Sequence, residues 1–230
     1  MYKTIAESLS FVRDAAPRIK VPAWIAAPYT AVYAASEAAK GSRLSIGAQN
    51  INEHEEGAFT GEIAPRMLKD AGAQFVLIGH SERRRMFHET DVVVNKKLAR
   101  ALFQGIPSIL CIGETLEEKE KGETHAVLER QLSVALQGID NFSSLMVAYE
   151  PVWAIGTGKT ATTSYVQNIH AFCRSLLTGS VDILYGGSVS FSNVQEIVSL
   201  NDVDGVLVGG ASLQVDSFVK IVELAAEAVS

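Results

Sequence analysis

Short apolar runs rich in Val, Ile and Leu recur along the whole chain and alternate with segments of helical spacing. Most of the runs are almost continuously apolar, which is typical of strands buried on both faces of a parallel sheet. Strands of an antiparallel sandwich would instead alternate between apolar and polar residues. The runs begin at Trp24, Arg43, Phe75, Pro107, Leu145, Asp182 and Gly205. The sequence therefore predicts a parallel sheet of seven strands.

The segments between the runs have the apolar periodicity of amphipathic helices. Residues 90–104 begin with the cap candidate Thr90 and place Val94 and Leu98 on one face. Further helices are predicted over residues 4–19, 123–136, 163–177 and 216–228. The repeat is about 30 residues long, the size of one strand and one helix, and no linker-like stretch interrupts it. Residues 1–230 are therefore expected to form a single α/β domain with right-handed crossovers.

Two ways of arranging this sheet fit the pattern. The sheet is either open and doubly wound, or closed into a barrel, which normally has eight strands. The predicted helix over residues 4–19 has no strand ahead of it, so the chain begins in the middle of a unit. The alternatives are an open sheet and a (β/α)8 TIM barrel with seven of its eight strands.

Composition narrows the class of protein. The 230 residues are 47% hydrophobic and 20% charged, with a net charge of −6, which excludes a disordered tail, a collagen or a disulfide-dense miniprotein. A net-negative chain has no general attraction to nucleic acid or to membrane surfaces. Cys111 and Cys173 lack metal-ligand spacing and suit a reducing compartment. Since there is neither a secretory signal nor an apolar run of membrane-spanning length, the cytoplasm is the expected location.

The candidate chemistry lies where strands end, because active sites of parallel β/α folds lie at the carboxyl ends of the strands. His80 ends one run, and Glu150, followed by Pro151, ends another. A single histidine is often structural, and Glu150 could equally be a salt-bridged strand end. The start of a helix after His80 would disfavour a cationic ring and leave a neutral hydrogen-bond donor. A carboxylate in an apolar mouth has a raised pKa and suits proton abstraction beside a carbonyl.

Glycine pairs follow the last two strands, at Gly186-Gly187 and Gly209-Gly210. Backbone N–H groups without side chains can approach a phosphate closely, although plain turns explain such pairs equally well. Residues 151–161 combine apolar side chains with glycines. This composition is found both in surface turns and in lids that close over a site.

Six segments together resemble the triosephosphate isomerase family over essentially the whole chain. They are GAFTGE, IGHSERR, CIGETLEE, AYEPVWAIGTGKTA, LYGGSV and GVLVGGASL, and they stand in the order of the family. The resemblance implies an eight-stranded barrel, normally a homodimer, that interconverts dihydroxyacetone phosphate and glyceraldehyde 3-phosphate without metal or cofactor. It places this activity in glycolysis and gluconeogenesis.

The resemblance also implies a role for individual positions. Glu150 matches the base that moves the proton, and His80 matches the electrophile that polarises the carbonyl. The phosphate-binding positions are Gly156, Ser188, Gly209 and Gly210, and the supporting positions are Ser81, Glu82, Cys111 and Tyr185. The lid consists of Pro151, Val152, Trp153, Ala154, Ile155, Gly156, Thr157, Gly158, Lys159, Thr160 and Ala161. Residues 49–62, with Phe59 and Thr60, match the loop that inserts into the partner subunit. Cys111 is equally well explained as a small buried filler.

The family's first strand ends in an Asn-Trp-Lys motif, and Met1 matches the methionine that follows it. Lys3 is therefore not expected to be the catalytic lysine. A missing strand would leave two open sheet edges, and one missing transition-state charge contact costs on the order of 100–1,000-fold in rate. The polypeptide as printed is expected to be unstable or to aggregate, and to be nearly inactive. The alternative is that Met1 is an internal methionine and translation starts upstream.

Other functional classes fit less well. An aldolase would need a Schiff-base lysine on a central strand, which the seven runs lack. A metal-dependent hydrolase would need His and Asp clustered at strand ends. The remaining histidines, at positions 54, 88, 125 and 170, lie in predicted loops or helices. A non-catalytic barrel acting as a binding protein remains the alternative to an enzyme.

Overall fold

The computed structural model describes residues 1–155 and 160–229. Its seven strands are all parallel and lie in one sheet in chain order. They are β1 (Ala23–Ala27), β2 (Leu44–Ala48), β3 (Val76–Ile78), β4 (Ser108–Ile112), β5 (Leu145–Tyr149), β6 (Asp182–Tyr185) and β7 (Gly205–Val206). Each strand begins within one residue of its predicted start. The prediction of a seven-stranded parallel sheet is confirmed.

Helices connect the strands. They are α1 (Ile5–Ala15), α2 (Val32–Ala39), α3 (Pro65–Asp70), α4 (Ser81–Met86), α5 (Asp91–Phe103), α6 (Leu116–Glu120), α7 (Thr124–Ala135), α8 (Thr163–Leu176), α9 (Val194–Val198) and α10 (Val215–Ala228). Thr4 and Thr90 cap α1 and α5 with their hydroxyl groups. The helix predicted to reach residue 19 ends at Ala15 instead, because Pro17 cannot continue it. Over the described residues, no helix is both long and apolar enough to cross a membrane.

The sheet is curled and not flat, which decides between the two arrangements. Alternate residues of the strands form an inner core around Phe75, Leu77, Ile109, Cys111 and Ala148. Ala26 from β1 and Leu207 from the end of β7 both pack against this core. In a flat sheet of seven strands, six spacings would separate the outer strands by roughly 29 Å. The fold is therefore of the TIM-barrel type, and the open doubly wound sheet is excluded.

The helices form a second layer outside the sheet, and this layer closes on itself. The first helix, α1, packs against the last, α10, with the rings of Phe11 and Phe218 5.6 Å apart. Arg18 also binds Asp216 at 2.7 Å. Within the described part of the chain, β1 and β7 each pair on one side only and form the two outer strands of the sheet. The outer layer therefore brings the two ends of the sheet round towards each other.

The outer core contains one fully buried histidine, His170 on α8. Its Nδ1 lies 3.1 Å from the backbone oxygen of Asp202, its ring packs against Tyr149 and Tyr185, and its Nε2 has no hydrogen-bond partner. Arg174, Asp202 and Asp204 are the charged groups that face it. Burial lowers the pKa of His170 from 6.5 to about 4. The folded protein therefore resists taking up a proton that the unfolded chain accepts.

The free energy of unfolding is expected to fall as the pH is lowered from 6.5 towards 4, by about 3 kcal/mol from this residue. The sign follows because, between the folded-state pKa of about 4 and the ordinary value of 6.5, the unfolded state binds more protons than the folded state. The contribution of His170 to stability is therefore complete above pH 6.5 and is lost as the pH falls towards 4. In H170N an amide can keep the contact with Asp202 without titrating, so the curve should be flatter. Urea unfolding at several pH values measures this, with H88N as the exposed control. Parallel curves for H170N and the parent chain would contradict it.

Candidate active site

The carboxyl ends of β3, β4, β5 and β6 open onto the same end of the sheet because the strands are parallel. His80 follows β3, Glu114 follows β4, Glu150 follows β5 and Ser188 follows β6. The sequence predicted His80 and Glu150 from the ends of apolar runs, and the family resemblance implied Ser188. The polar groups that could perform chemistry are therefore brought together at one mouth.

Glu150 and His80 are in direct contact there. The Nε2 atom of His80 lies 2.9 Å from Oε1 of Glu150, and the backbone N–H of Ser81 donates to Oε2 at 2.9 Å. Glu150 is buried, with 2% of its surface exposed, whereas about a quarter of the His80 side chain is exposed. Both carboxylate oxygens are therefore satisfied inside the protein. The residues are 70 positions apart in sequence, and the fold alone joins them.

His80 caps the helix that follows it. Its Nδ1 accepts the backbone N–H of Glu82 at 3.3 Å, which leaves Nε2 as the protonated nitrogen that donates to Glu150. Burial is the largest influence and lowers the pKa of His80, but the hydrogen bond and charge of Glu150 outweigh it and raise the pKa. The sequence led us to expect that the helix end would leave this ring neutral; the nearby carboxylate of Glu150 acts in the opposite direction and favours a proton on the ring.

Two glycines make room for Glu150. A Cβ atom on Gly113, just after β4, would lie 1.8 Å from the backbone oxygen of Glu150. A Cβ on Gly186, just after β6, would lie 2.9 Å from Cγ of Glu150. At Gly187 it would meet the Tyr185 hydroxyl at 2.2 Å. The first glycine pair, which the sequence suggested as part of an anion site, therefore serves close packing around Glu150 and Tyr185.

Glu114 is a site residue that the sequence interpretation missed. It is fully buried and accepts hydrogen bonds from three aromatic side chains. These are the Tyr149 hydroxyl at 3.1 Å, the Trp153 indole N–H at 2.7 Å and the Tyr165 hydroxyl at 3.0 Å. Burial raises the pKa of both tyrosines, which remain hydrogen-bond donors. The signal was present, because Glu114 follows an apolar strand just as Glu150 does.

The first part of the predicted lid lies against the barrel. Val152–Ala154 form a single 3₁₀ turn, and Trp153 and Ala154 are buried. The N–H of Val152 donates to the backbone oxygen of Glu114 at 3.1 Å, and the Ser188 hydroxyl donates to the backbone oxygen of Ala154 at 2.5 Å. Gly156, Thr157, Gly158 and Lys159 lie outside the described residues.

The far end of the lid lies next to Tyr185. Thr160 is exposed and Ala161 is half-buried. Burial raises the pKa of Tyr185 to about 12, and a hydrogen bond from the backbone of Ala161 opposes this rise. The structure therefore places Tyr185 beside Ala161 and Ser188 beside Ala154, at opposite ends of the lid.

Gly209 and Gly210 differ from the first glycine pair. Both are exposed, and a Cβ on either would meet no atom within 4 Å. A single 3₁₀ turn, Gly210–Ser212, begins here. The backbone at this pair is therefore uncovered at the end of β7, as a contact with a phosphate requires.

The predicted supporting residues fall into two groups. Ser81 is buried and holds Glu150 through its backbone N–H, while Glu82 is exposed. Cys111 is fully buried in the inner core, and burial raises the pKa of its thiol well above the usual range. The nearby Glu150 carboxylate raises the pKa of this thiol further. A protonated thiol beside the carboxylate fits a packing neighbour of the site.

The loop over residues 49–62 is closed at its base. Asn52 donates from Nδ2 to Glu62 Oε2 at 2.6 Å and from its backbone N–H to Ile63 O at 3.0 Å. Phe59 is 42% exposed and stacks on His54 with ring centroids 4.0 Å apart, and Thr60 is also exposed. The loop therefore presents an aromatic side chain at the surface.

Comparison with known proteins gives one consistent family. A family model described as triosephosphate isomerase matches residues 1–225. The chain is 45% identical to the triosephosphate isomerase of Protochlamydia amoebophila, over 96% of this chain and 89% of the relative. It is 48% identical to that of Citrifermentans bemidjiense, over 96% of this chain and 94% of the relative. The triosephosphate isomerase of Carboxydothermus hydrogenoformans is 46% identical, over 97% of this chain and 94% of the relative.

Proposed function

Because the chain belongs to the triosephosphate isomerase family, we propose that its Glu150–His80 site interconverts dihydroxyacetone phosphate and D-glyceraldehyde 3-phosphate. The observation that carries this proposal is the 2.9 Å contact between a buried carboxylate and an imidazole at the mouth of the barrel. A base and a hydrogen-bond donor at one carbonyl suffice for proton transfer between adjacent carbons. The reaction is an intramolecular aldose–ketose isomerisation of glycolysis and gluconeogenesis.

Glu150 is the base and His80 the electrophile. The carboxylate removes a proton from the carbon beside the carbonyl, and the electron pair moves onto the carbonyl oxygen to form an enediolate. The Nε2–H of His80 donates to that oxygen, because Nδ1 is already engaged by the N–H of Glu82. The proton of the adjacent hydroxyl passes to the former carbonyl oxygen, and Glu150 returns its proton to the former carbonyl carbon, so that the adjacent carbon becomes the new carbonyl. The two proton transfers balance, and no oxidant, reductant or cofactor takes part.

Substrate must displace the contacts seen here. Both oxygens of Glu150 are occupied, one by His80 and one by Ser81. In this position the carboxylate faces His80 and Ser81, so we take this arrangement as the resting state. We expect substrate to take over the hydrogen bond of His80 while Glu150 turns towards the reacting carbons.

The phosphate is held by Gly209, Gly210 and Ser188, with Gly156 of the lid. The uncovered backbone at Gly209 and Gly210 supports this assignment, because backbone N–H groups bind phosphate oxygens well where no side chain intervenes. The lid over residues 151–161 excludes water, which would let the enediolate lose phosphate.

The chain is proposed to act as a single-domain, cytoplasmic homodimer. The loop over residues 49–62, closed at its base and carrying exposed Phe59 and Thr60, supports a second copy as the partner. Met86, the last residue of α4, and Phe87, which follows it, are also more than half exposed. Sedimentation equilibrium of the chain tests this proposal.

The activity is tested by a coupled assay with glyceraldehyde 3-phosphate. The chain as printed is compared with the same chain preceded by a strand that ends in Asn-Trp-Lys, and turnover in either supports the proposal. Binding of 2-phosphoglycolate, which resembles the enediolate, is measured in parallel. Binding without turnover in both forms would favour the non-catalytic alternative, and neither binding nor turnover would contradict a triose phosphate site.

A further inference from the structure

A buried glutamine in the helix layer binds the backbone next to the proposed base. Gln131 lies on α7, and only 5% of its surface is exposed. Its Oε1 accepts the N–H of Gly113 at 2.8 Å, and its Nε2 donates to the carbonyl oxygen of Gly113 at 3.2 Å. The two contacts fix the orientation of the amide, because a reversed amide would place donor against donor and acceptor against acceptor. Gln131 therefore binds both backbone groups of one residue, as a neighbouring strand would.

Gly113 lies where β4 extends beyond the pairing with β3. The residue before it, Ile112, accepts the N–H of Glu150 at 2.7 Å on the side of β5. Neighbouring residues of a parallel strand pair to opposite sides, so the N–H and C=O of Gly113 face the side of β3. The pairing of β3 with β4 ends at Leu110, and the chain enters α4 at Ser81. The glutamine of α7 therefore supplies the donor and the acceptor that β3 no longer provides.

The position of Gly113 determines where Glu150 can lie. A Cβ atom on Gly113 would lie 1.8 Å from the backbone oxygen of Glu150 and 2.6 Å from its backbone carbon, so the two backbones are in direct contact. The carboxylate of Glu150 is at the same time bound by the N–H of Ser81 and by Nε2 of His80, both at 2.9 Å. A shift of Gly113 therefore moves the backbone of Glu150 and changes how its carboxylate meets these two donors.

We propose that Gln131 is a positioning residue for the proposed base, and that it acts by fixing Gly113 at the end of β4. This proposal rests on the proposed function, which makes Glu150 the base. Without the amide, buried backbone groups of Gly113 lose their partners, and the segment has to move to recover hydrogen bonds. Misplacing a reacting group by about 1 Å costs up to about 100-fold in rate. The loss falls on kcat and not on KM, because the glycine pair assigned to the phosphate follows β7, three strands away from β4.

The test uses the form of the full chain, with or without the added strand, that turns over substrate faster. Q131M removes the amide at similar length, and Q131N is the milder variant, because its shorter side chain can keep one of the two contacts at most. Q167M is the matched control. Gln167 on α8 also makes two hydrogen bonds, to the carboxylate of Asp202 at 2.5 Å and from its N–H at 3.4 Å. Asp202 precedes β7 and so lies at the amino ends of the strands, opposite the mouth with Glu150.

Two quantities are measured in each variant. The first is kcat and KM, with the rate divided by the folded fraction from urea unfolding. The second is the hydrogen-exchange rate of the backbone amides of Gly113 and Ser81, followed by NMR. The Ser81 amide reports the position of the carboxylate without any substrate, because Oε2 of Glu150 accepts this N–H.

In Q131M we expect kcat to fall by about 10- to 100-fold with KM close to that of the parent, and in Q131N by less. The amides of Gly113 and Ser81 should exchange about tenfold faster in Q131M, while Q167M keeps the kcat and the exchange rates of the parent. A kcat per folded molecule equal to that of Q167M, or an unchanged exchange rate of Ser81, would reduce Gln131 to a residue that only stabilises the fold. A parent chain without turnover would instead contradict the proposed function, and the exchange of Ser81 would still decide whether Gln131 places the carboxylate of Glu150.

Discussion

Replacing Glu150 by glutamine is expected to lower kcat for isomerisation by about 10²- to 10⁴-fold with a small change in KM. Glutamine has nearly the same volume, and its amide oxygen can still accept the N–H of Ser81 that now binds Glu150 at 2.9 Å. It cannot accept a proton from carbon at neutral pH. The loss is therefore confined to the chemical step, and initial rates at saturating and limiting substrate separate it from a loss of binding.

The substitution is made in the form of the chain, with or without the added strand, that turns over substrate faster. E120Q is the matched control, because it makes the same glutamate-to-glutamine change at an exposed residue, at the end of α6. The control should keep the rate of the parent. If E150Q retained more than a tenth of the parental kcat, Glu150 could not be the base, and another group at the mouth would have to move the proton.

The strand pattern was predictable because its cause is local. A strand buried on both faces has to be apolar along its whole length, so the run from Leu145 to Tyr149 is visible in the sequence without its neighbours. The position of a polar residue directly after such a run is equally local. This is why His80 and Glu150 could be placed at one mouth of the barrel.

What the sequence could not supply depends on contacts between distant elements. The three donors to Glu114 come from β5, the lid and α8, and no spacing in the chain encodes their convergence. The helix that follows His80 led us to expect a neutral ring, but the contact with Glu150 raises the pKa of His80. Reasoning from neighbouring residues can include the effect of the helix end on His80, but not the effect of a carboxylate 70 residues away in sequence.

Glycine is a further case, because the sequence shows where it stands but not what it lies against. Gly186-Gly187 and Gly209-Gly210 look alike in the chain, yet the first pair is packed against Glu150 and Tyr185 and the second has open space around it. The packed pair and the open pair can be told apart only from the backbone positions of the neighbouring strands. Those backbone positions also explain why Gly113, the glycine after β4, controls where the proposed base lies.

Replacing Gly113 by alanine is expected to destabilise the fold by about 3 kcal/mol and to reduce activity together with stability. The new Cβ would lie 1.8 Å from the backbone oxygen of Glu150, so the ends of β4 and β5 would have to separate. Gly113 cannot move away easily, because its N–H and carbonyl are both bound by the side chain of Gln131, at 2.8 and 3.2 Å. Urea unfolding measures the loss of stability.

Gly205 in β7 is the matched control, since a Cβ there would meet only the end of the Leu184 side chain, at 3.0 Å. That side chain can rotate, whereas the carbonyl of Glu150 is fixed by its strand, so G205A should cost less than about 1 kcal/mol. In G113A the carboxylate of Glu150 is displaced along with its backbone, so kcat should fall even in the fraction that remains folded. A G113A chain with the stability and kcat of G205A would mean that the two strand ends can part freely, and Gly113 would then have no part in placing the base.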